Sequence, residues 1–255
     1  MHAGDIATQL DEELAIADYA DIDASPNGLQ VGPADHEVET VAVAVDAAVE
    51  TIERASEAGA DLLLTHHGIV WGSIERVTDT NYRRIAPLVE NDLALYVAHL
   101  PLDGHQTLGN AAGLATLLDL DNRAPFGRMG GEYVGQKGRI VEGMALSEFV
   151  DMLDGVLDTG GQPIQTLDFG PETVEDVAIV TGSGADWLDE AVDAGADVLL
   201  TGEGKQQVYH EAREAGINVV LAGHYATETF GVQSLRDPLE SWELDTTFID
   251  CPTGL

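Results

Sequence analysis

VETVAVAVDAAVETIERASEAGADLLLTHH, Val38–His67, returns in the second half of the chain as VEDVAIVTGSGADWLDEAVDAGADVLLTGE, Val174–Glu203. Within the two copies AGADLLLT and AGADVLLT differ at one position only. Each copy reads as a strand, a helix of about ten residues and a second strand entered through the Ala-Gly-Ala-Asp turn, with Gly59 and Gly195 where a helix C-terminal glycine is expected. The copies continue in parallel. A helix near Tyr82 to Glu90 leads to the strand LALYVA, and one near Gln206 to Ala215 leads to INVVLA. Strands alternating with helices imply right-handed βαβ units, and continuous apolar strands such as VAVAV and DLLL fit burial on both faces of a parallel sheet. The expected fold class is therefore α/β, with two related halves and mainly parallel sheets that face each other.

The halves are expected at residues 1–122 and 123–255. From about Pro125 to Leu167 a glycine-rich stretch with short alternating segments such as RIVEGMAL predicts an antiparallel insertion at the start of the second half. The tail SWELDTTFIDCP predicts a closing strand that runs back along the sheet.

The 255 residues are 44% hydrophobic, enough for a sizeable core. The first residues, MHAGDIATQLDEEL, lack a basic start and an apolar run, and no apolar segment approaches the roughly 20 residues needed to span a bilayer, so a cytoplasmic protein without a membrane partner is expected. The single cysteine, Cys251, excludes an intrachain disulfide framework and a multi-cysteine zinc site. Any metal must then use nitrogen and oxygen ligands. Charge is the unusual feature: 46 acidic residues face 11 basic ones, a formal net charge of −35, and the only lysines are Lys137 and Lys205. Such a surface suits the salt-rich cytoplasm of a halophile, because at about 1 M salt the Debye length falls to about 3 Å and self-repulsion is screened. The acids are spread along the chain, not gathered in a tail. A duplex nucleic acid partner is disfavoured, since counterion release needs clustered Lys and Arg.

His66 and His67 directly follow the apolar strand DLLLT, at the strand end where α/β sheets keep their sites. Neighbours inside a strand point to opposite faces, so both histidines serve one site only if the chain turns at once, as Gly68 allows. Asp103 follows the next strand through HLPLD and is expected at the same sheet edge. GHYATE follows INVVLA, and its His224 and Glu228, four residues apart, share one face of a helix expected to run through ATETFGVQSLR. Each motif alone has a plain reading as surface histidines, a turn aspartate or a solvated helix pair. Together they supply three imidazoles and two carboxylates, more than one tetrahedral site uses. The set suits two divalent ions in a central cleft, and N/O ligation without thiolate permits Zn, Fe, Mn or Co.

In NGLQVG (Asn27–Gly32), LLLTHHG (Leu62–Gly68), HLPLD (His99–Asp103), TGEGK (Thr201–Lys205) and GHYATE (Gly223–Glu228), the chain resembles the dinuclear-metal-centre hexameric proteins. These are the NGG-interacting-factor-three-like family, often named GTP cyclohydrolase type 2. The motifs stand in the family's order over nearly the whole chain. The resemblance implies two α/β domains with a metal pair between them, a ring-shaped homohexamer, and His66, His67, Asp103, His224 and Glu228 as the metal ligands. It also implies a metal-dependent hydrolase acting on a nucleotide or related small molecule. A metal carrier and a metal-stabilised ring scaffold are the rival readings. Family members often have proline after the paired histidines, where this chain has Gly68.

Secondary candidates follow from position. His99 is the candidate to handle protons, and with His105 it can also orient a carboxylate. Asn27 can reach the site from its NG turn, although NG is first a turn signal. Trp71 can stack on a planar base, with simple packing as the alternative. TGSGA, Thr181–Ala185, can cradle an anion or form a tight turn. Lys205 is a candidate phosphate contact, and Glu203 stands where the first copy has His67.

Overall fold

A computed structural model describes residues 1–255. Its strands, in chain order, are β1 (Gly28–Val31), β2 (Thr40–Asp46), β3 (Leu62–His67), β4 (Ala94–Val97), β5 (Asp121–Met129), β6 (Glu132–Ala145), β7 (Gln165–Leu167), β8 (Thr173–Ile179), β9 (Val198–Thr201), β10 (Asn218–Leu221) and β11 (Asp245–Phe248). They form two sheets, ordered β1-β4-β3-β2-β11 and β5-β6-β8-β9-β10-β7. The chain divides into two compact units, Met1–Leu102 with Gly231–Cys251, and Asp103–Phe230 with Pro252–Leu255. No helix is long and apolar enough to cross a membrane.

The α/β class holds in both units. In the first, β11, β2, β3 and β4 are parallel neighbours and β1 closes one edge antiparallel. The tail does return as a strand, since β11 pairs with β2 from Asp245↔Thr40 to Phe248↔Val43. In the second, the parallel centre β8-β9-β10 is flanked by antiparallel pairs. The glycine-rich insertion is an antiparallel hairpin, β5-β6, that opens at Asp121, followed by the helix Leu146–Asp154 and the short edge strand β7.

The duplicated turn works identically in each unit. Asp61 Oδ2 accepts hydrogen bonds from the amides of Glu39 and Thr40, both at 2.9 Å. Asp197 Oδ2 accepts from Glu175 and Asp176, again at 2.9 Å. Gly59 and Gly195 take φ of 75° and 74°, the left-handed geometry that ends the preceding helix and that an L side chain resists. One Asp thus ties the start of the second strand to the start of the first, and one Gly lets the chain reverse into it.

Burial follows the strand period. In β2, Val41, Val43 and Val45 face one side and Ala42 and Ala44 the other, all essentially inaccessible to solvent. The alanine side packs with Leu63, Leu95, Val97 and the helix residues Ile52 and Ala55. The second unit buries Val177, Ile179, Val198, Leu200 and Val220 against Phe149 and Leu153 of the Leu146–Asp154 helix and Leu114 of the Asn110–Leu117 helix. Sheets buried on both faces leave their polar chemistry to the strand ends.

Candidate metal centre

β3 runs on through His67, so the chain turns after the pair and not within it. The two imidazoles nevertheless lie together, centroids 4.6 Å apart. His66 is fully buried and donates its Nδ1 proton to the carbonyl of Ala98 at 3.0 Å. His67 donates Nδ1–H to Asp46 Oδ1 at 2.9 Å. A third ring joins them: His99, just past β4, stands 5.0 Å from His66 and 5.6 Å from His67 and donates Nδ1–H to Asp23 Oδ1 at 2.8 Å. Carbonyl and carboxylate oxygens can only accept, so each of the three rings places a proton on Nδ1, which makes Nε2 the nitrogen left to ligate. The three residues bring one ring nitrogen each within 4.8 Å of one another, a spacing that can hold a metal ion. An imidazole whose other nitrogen is hydrogen-bonded to carboxylate or carbonyl is the usual form of a metal ligand.

Asp23 and Asp46 carry this arrangement, and sequence reasoning missed both. Asp46 reaches His67 because the parallel register makes them direct partners. Asp23 accepts four donors: Ser25 N, Asn27 Nδ2, His99 Nδ1 and Leu100 N. Burial pushes its carboxyl up, but His99 and the other donors outweigh that and hold it below the usual range. Asn27 also accepts the His99 amide at 2.7 Å, so its NG turn positions the backbone beside the histidines.

In the second unit His224 lies between two carboxylates, with Nε2 3.2 Å from Glu228 Oε1 and Nδ1 3.2 Å from Glu203 Oε1. The expected single helix is broken here. His224–Thr227, Thr229–Ser234 and Arg236–Ser241 are separate short helices, and Glu228 sits at the first break with φ −105°. Burial alone would lower His224, but Glu228 and then Glu203 overcome it and raise the imidazole to about 9. The two carboxylates thus favour a cation at this point. Glu203 is itself held low, first by a hydrogen bond from the Ser183 hydroxyl and then, against a smaller effect of burial, by His224. Asp103, in the short helix Leu100–Gly104, is buried and accepts from Asn110 Nδ2 at 2.8 Å and Thr181 Oγ1 at 3.0 Å. Both bonds fall on Oδ1, which fixes the carboxylate's orientation.

TGSGA is a tight turn rather than an anion cradle. The Gly182 and Gly184 amides are spent on Thr227 Oγ1 and Thr201 Oγ1. A Cβ on Gly182 would lie 2.1 Å from Glu228 Oε1, and one on Gly202 would lie 2.7 Å from the Cα of His224. These glycines make room for the His-Glu pair, which explains why the second copy has Gly202 where the first has His66. Lys205 pairs with Asp186, and His105 Nδ1 accepts the Leu108 amide at 2.9 Å as a local cap. Cys251 contacts Arg54 at 3.0 Å, and the candidate donors are nitrogen and oxygen throughout.

The family model Duf34/NIF3 (NGG1p interacting factor 3) matches residues 1–253. A Halobacterium salinarum protein named GTP cyclohydrolase 1 type 2 homolog is 53% identical over the full length of both chains. An Archaeoglobus fulgidus protein of the same name is 39% identical, again over both full lengths. Among solved structures, TTHA1606 from Thermus thermophilus superposes with a TM-score of 0.89 at 37% identity, covering all of each chain. A family model spanning nearly every residue and full-length relatives well above 30% identity fix the assignment: this chain belongs to the DUF34/NIF3 family.

Proposed function

We propose that His66, His67, Asp103, His224 and Glu228 together hold two divalent ions, drawn from Zn, Fe, Mn and Co, and that the protein is a cytoplasmic, homohexameric metal-dependent hydrolase of a nucleotide or related small molecule. The observation that carries this reading is that His66 and His67, held through Nδ1 by Ala98 and Asp46, bring their ring nitrogens together beside His99, a third imidazole held by Asp23. The name shared by the relatives, GTP cyclohydrolase 1 type 2 homolog, supports ring-opening hydrolysis as the reaction class. Divalent ions bound there would supply Lewis-acid polarisation of a substrate carbonyl, imine or phosphoryl group and a water acidic enough to react near neutral pH.

The chain's own residues supply the rest. His66 and His67 orient their lone pairs through Ala98 and Asp46. His99, backed by Asp23, is a His-Asp pair whose Nε2 takes the proton from water and returns it to the leaving nitrogen or oxygen. Asp103, fixed by Asn110 and Thr181, and Glu228, beside His224, supply negative charge.

The test is metal analysis of the native protein in molar KCl, followed by hydrolysis assays on GTP, other nucleotides and cyclic amides. Two ions per chain are expected, with loss on His67→Ala. His99→Ala should keep ions while turnover falls by about 10² to 10⁴, the usual worth of a general base. One ion or none in the parent protein, or no hydrolysis with two ions bound, would overturn the reading. Sedimentation in the same buffer checks the hexamer.

A further inference from the structure

Trp71 is a feature of the first unit that packing does not explain. Tryptophan is ordinarily well covered, yet this side chain is 49% exposed. Its ring stands edge-on to His99, centroids 5.1 Å apart at 83°, and 5.9 Å from His67. The segment that carries it is tied down on both sides. The Ile69 amide donates to Gln30 Oε1 at 3.2 Å, and the Gly72 amide donates to the Ala24 carbonyl at 2.7 Å. Gly68 lets Gln30 lie beneath the turn, where a Cβ would meet the Gln30 side chain at 2.6 Å. An indole held rigidly beside two clustered histidines, with half its surface open, is a prepared face for another ring.

We propose that Trp71 is a stacking platform for the substrate: a planar, unsaturated heterocycle lies on its indole and is thereby presented to His67 and His99. Stacking needs only a π-face, so the platform selects flat nitrogen heterocycles over sugars and aliphatic amides without reading a base edge. The class of substrate rests on the hydrolase reading, but the platform itself needs no turnover and is measured by binding.

The probes are guanosine and adenosine, with ribose as the non-planar control, added to the metal-loaded protein in molar KCl and followed by equilibrium dialysis and tryptophan fluorescence. Guanosine or adenosine should bind and quench the parent, and the quench should vanish in Trp71→Phe, which loses the fluorophore while its affinity stays within about threefold. Trp71→Leu, apolar but not aromatic, should bind at least about fivefold more weakly, at unchanged metal content and melting temperature. Equal affinity in Trp71→Leu overturns the platform. So does the absence of binding by either nucleoside to a parent that retains its metal. A Trp71 already shielded from acrylamide in the free protein overturns it too, and assigns the exposed ring to contact with a second copy. If nucleosides stack but nothing is hydrolysed, the hydrolase reading falls and the platform stands. If GTP is hydrolysed with the same KM by Trp71→Leu, the platform falls and the hydrolase stands.

Discussion

His67 donates its Nδ1 proton to Asp46 over 2.9 Å, and the two residues are direct partners in the parallel register of β2 and β3. The orientation of the ring is therefore set by strand pairing. A carboxylate behind a ligating imidazole fixes its tautomer and raises its basicity, and its removal costs about 10- to 100-fold in metal affinity. Asp46→Ala should weaken metal binding by that factor in a competition with a chelator, while the urea midpoint moves little, because Asp46 is partly exposed at the strand end. Unchanged affinity would show that Asp46 does not support metal binding through His67.

Asp23 carries a different load. With four donors on one buried side chain, Asp23→Ala strands the Ser25 and Leu100 amides and should cost about 3 kcal/mol of stability. Asn27→Ala should cost about 1 to 2 kcal/mol. Because Asn27 donates to Asp23, the double variant should cost less than the sum. Urea unfolding in molar salt measures all three, and strict additivity would contradict a shared network.

The contrast between these carboxylates and the duplicated turn shows what the sequence makes legible. AGAD announces itself twice because the turn lies inside a contiguous pattern of strand, helix, turn and strand that the sequence repeats. Asp46 and Asp23 act across the fold: the first through strand register, the second by holding a histidine 76 residues away. No local spacing encodes either. The same applies to GHYATE. The i,i+4 spacing does bring His224 and Glu228 together, but neither the helix break at Glu228 nor the space that Gly182, from another loop, leaves for the carboxylate is encoded in that spacing. His99 was visible as a candidate for proton handling. Its place in the histidine trio required knowing that β3 and β4 are neighbours.

Gly182 and Gly195 provide a matched pair for testing that space. Both take positive φ, 57° and 74°, so an alanine at either position carries a backbone cost of about 1 kcal/mol. At Gly195 a Cβ meets nothing within 4 Å, whereas at Gly182 it would strike Glu228 Oε1. The two alanine variants should lose similar backbone stability, and only Gly182→Ala should lose bound metal. Metal content after dialysis decides it, and equal retention would remove Glu228 from the ligand set.

Tyr96 sets an alkaline limit. Its ring is fully buried and its hydroxyl donates to Asp11 at 2.8 Å. Burial first, and then the Asp11 charge, push the phenol far above its ordinary range. The folded protein keeps this proton where the unfolded chain begins to lose it, near pH 10, so the contribution is fully present below that pH and is lost as pH rises beyond it. Tyr96→Phe should cost about 1 kcal/mol near neutral pH for the missing hydrogen bond. It should also flatten the fall in urea midpoint between about pH 9 and about pH 11. An identical alkaline slope in the variant would place the loss elsewhere.

A formal charge of −35 on 255 residues makes salt the strongest external variable. Basic partners are few, and several are already committed: Arg139 to Glu175 and Asp176, Lys205 to Asp186, Arg236 to Glu240. These are exposed pairs, each contributing little. With 46 acidic residues against 11 basic ones, the excess negative charge repels itself, and unfolding relieves that repulsion by spreading the chain. At about 0.01 M salt the Debye length is about 30 Å, so the field of one carboxylate reaches across most of a domain, whereas at about 1 M it ends within about 3 Å. The melting temperature should therefore rise steeply with KCl up to the molar range, and the metal-free protein should lose its near-UV circular dichroism in dilute buffer. Divalent ions held by the proposed ligands, Glu228 and His224 among them, would offset part of the local charge, so metal loading should raise stability more in low salt than in high. A melting temperature that is flat from dilute buffer to molar KCl would refute the halophilic reading while leaving the metal centre untouched.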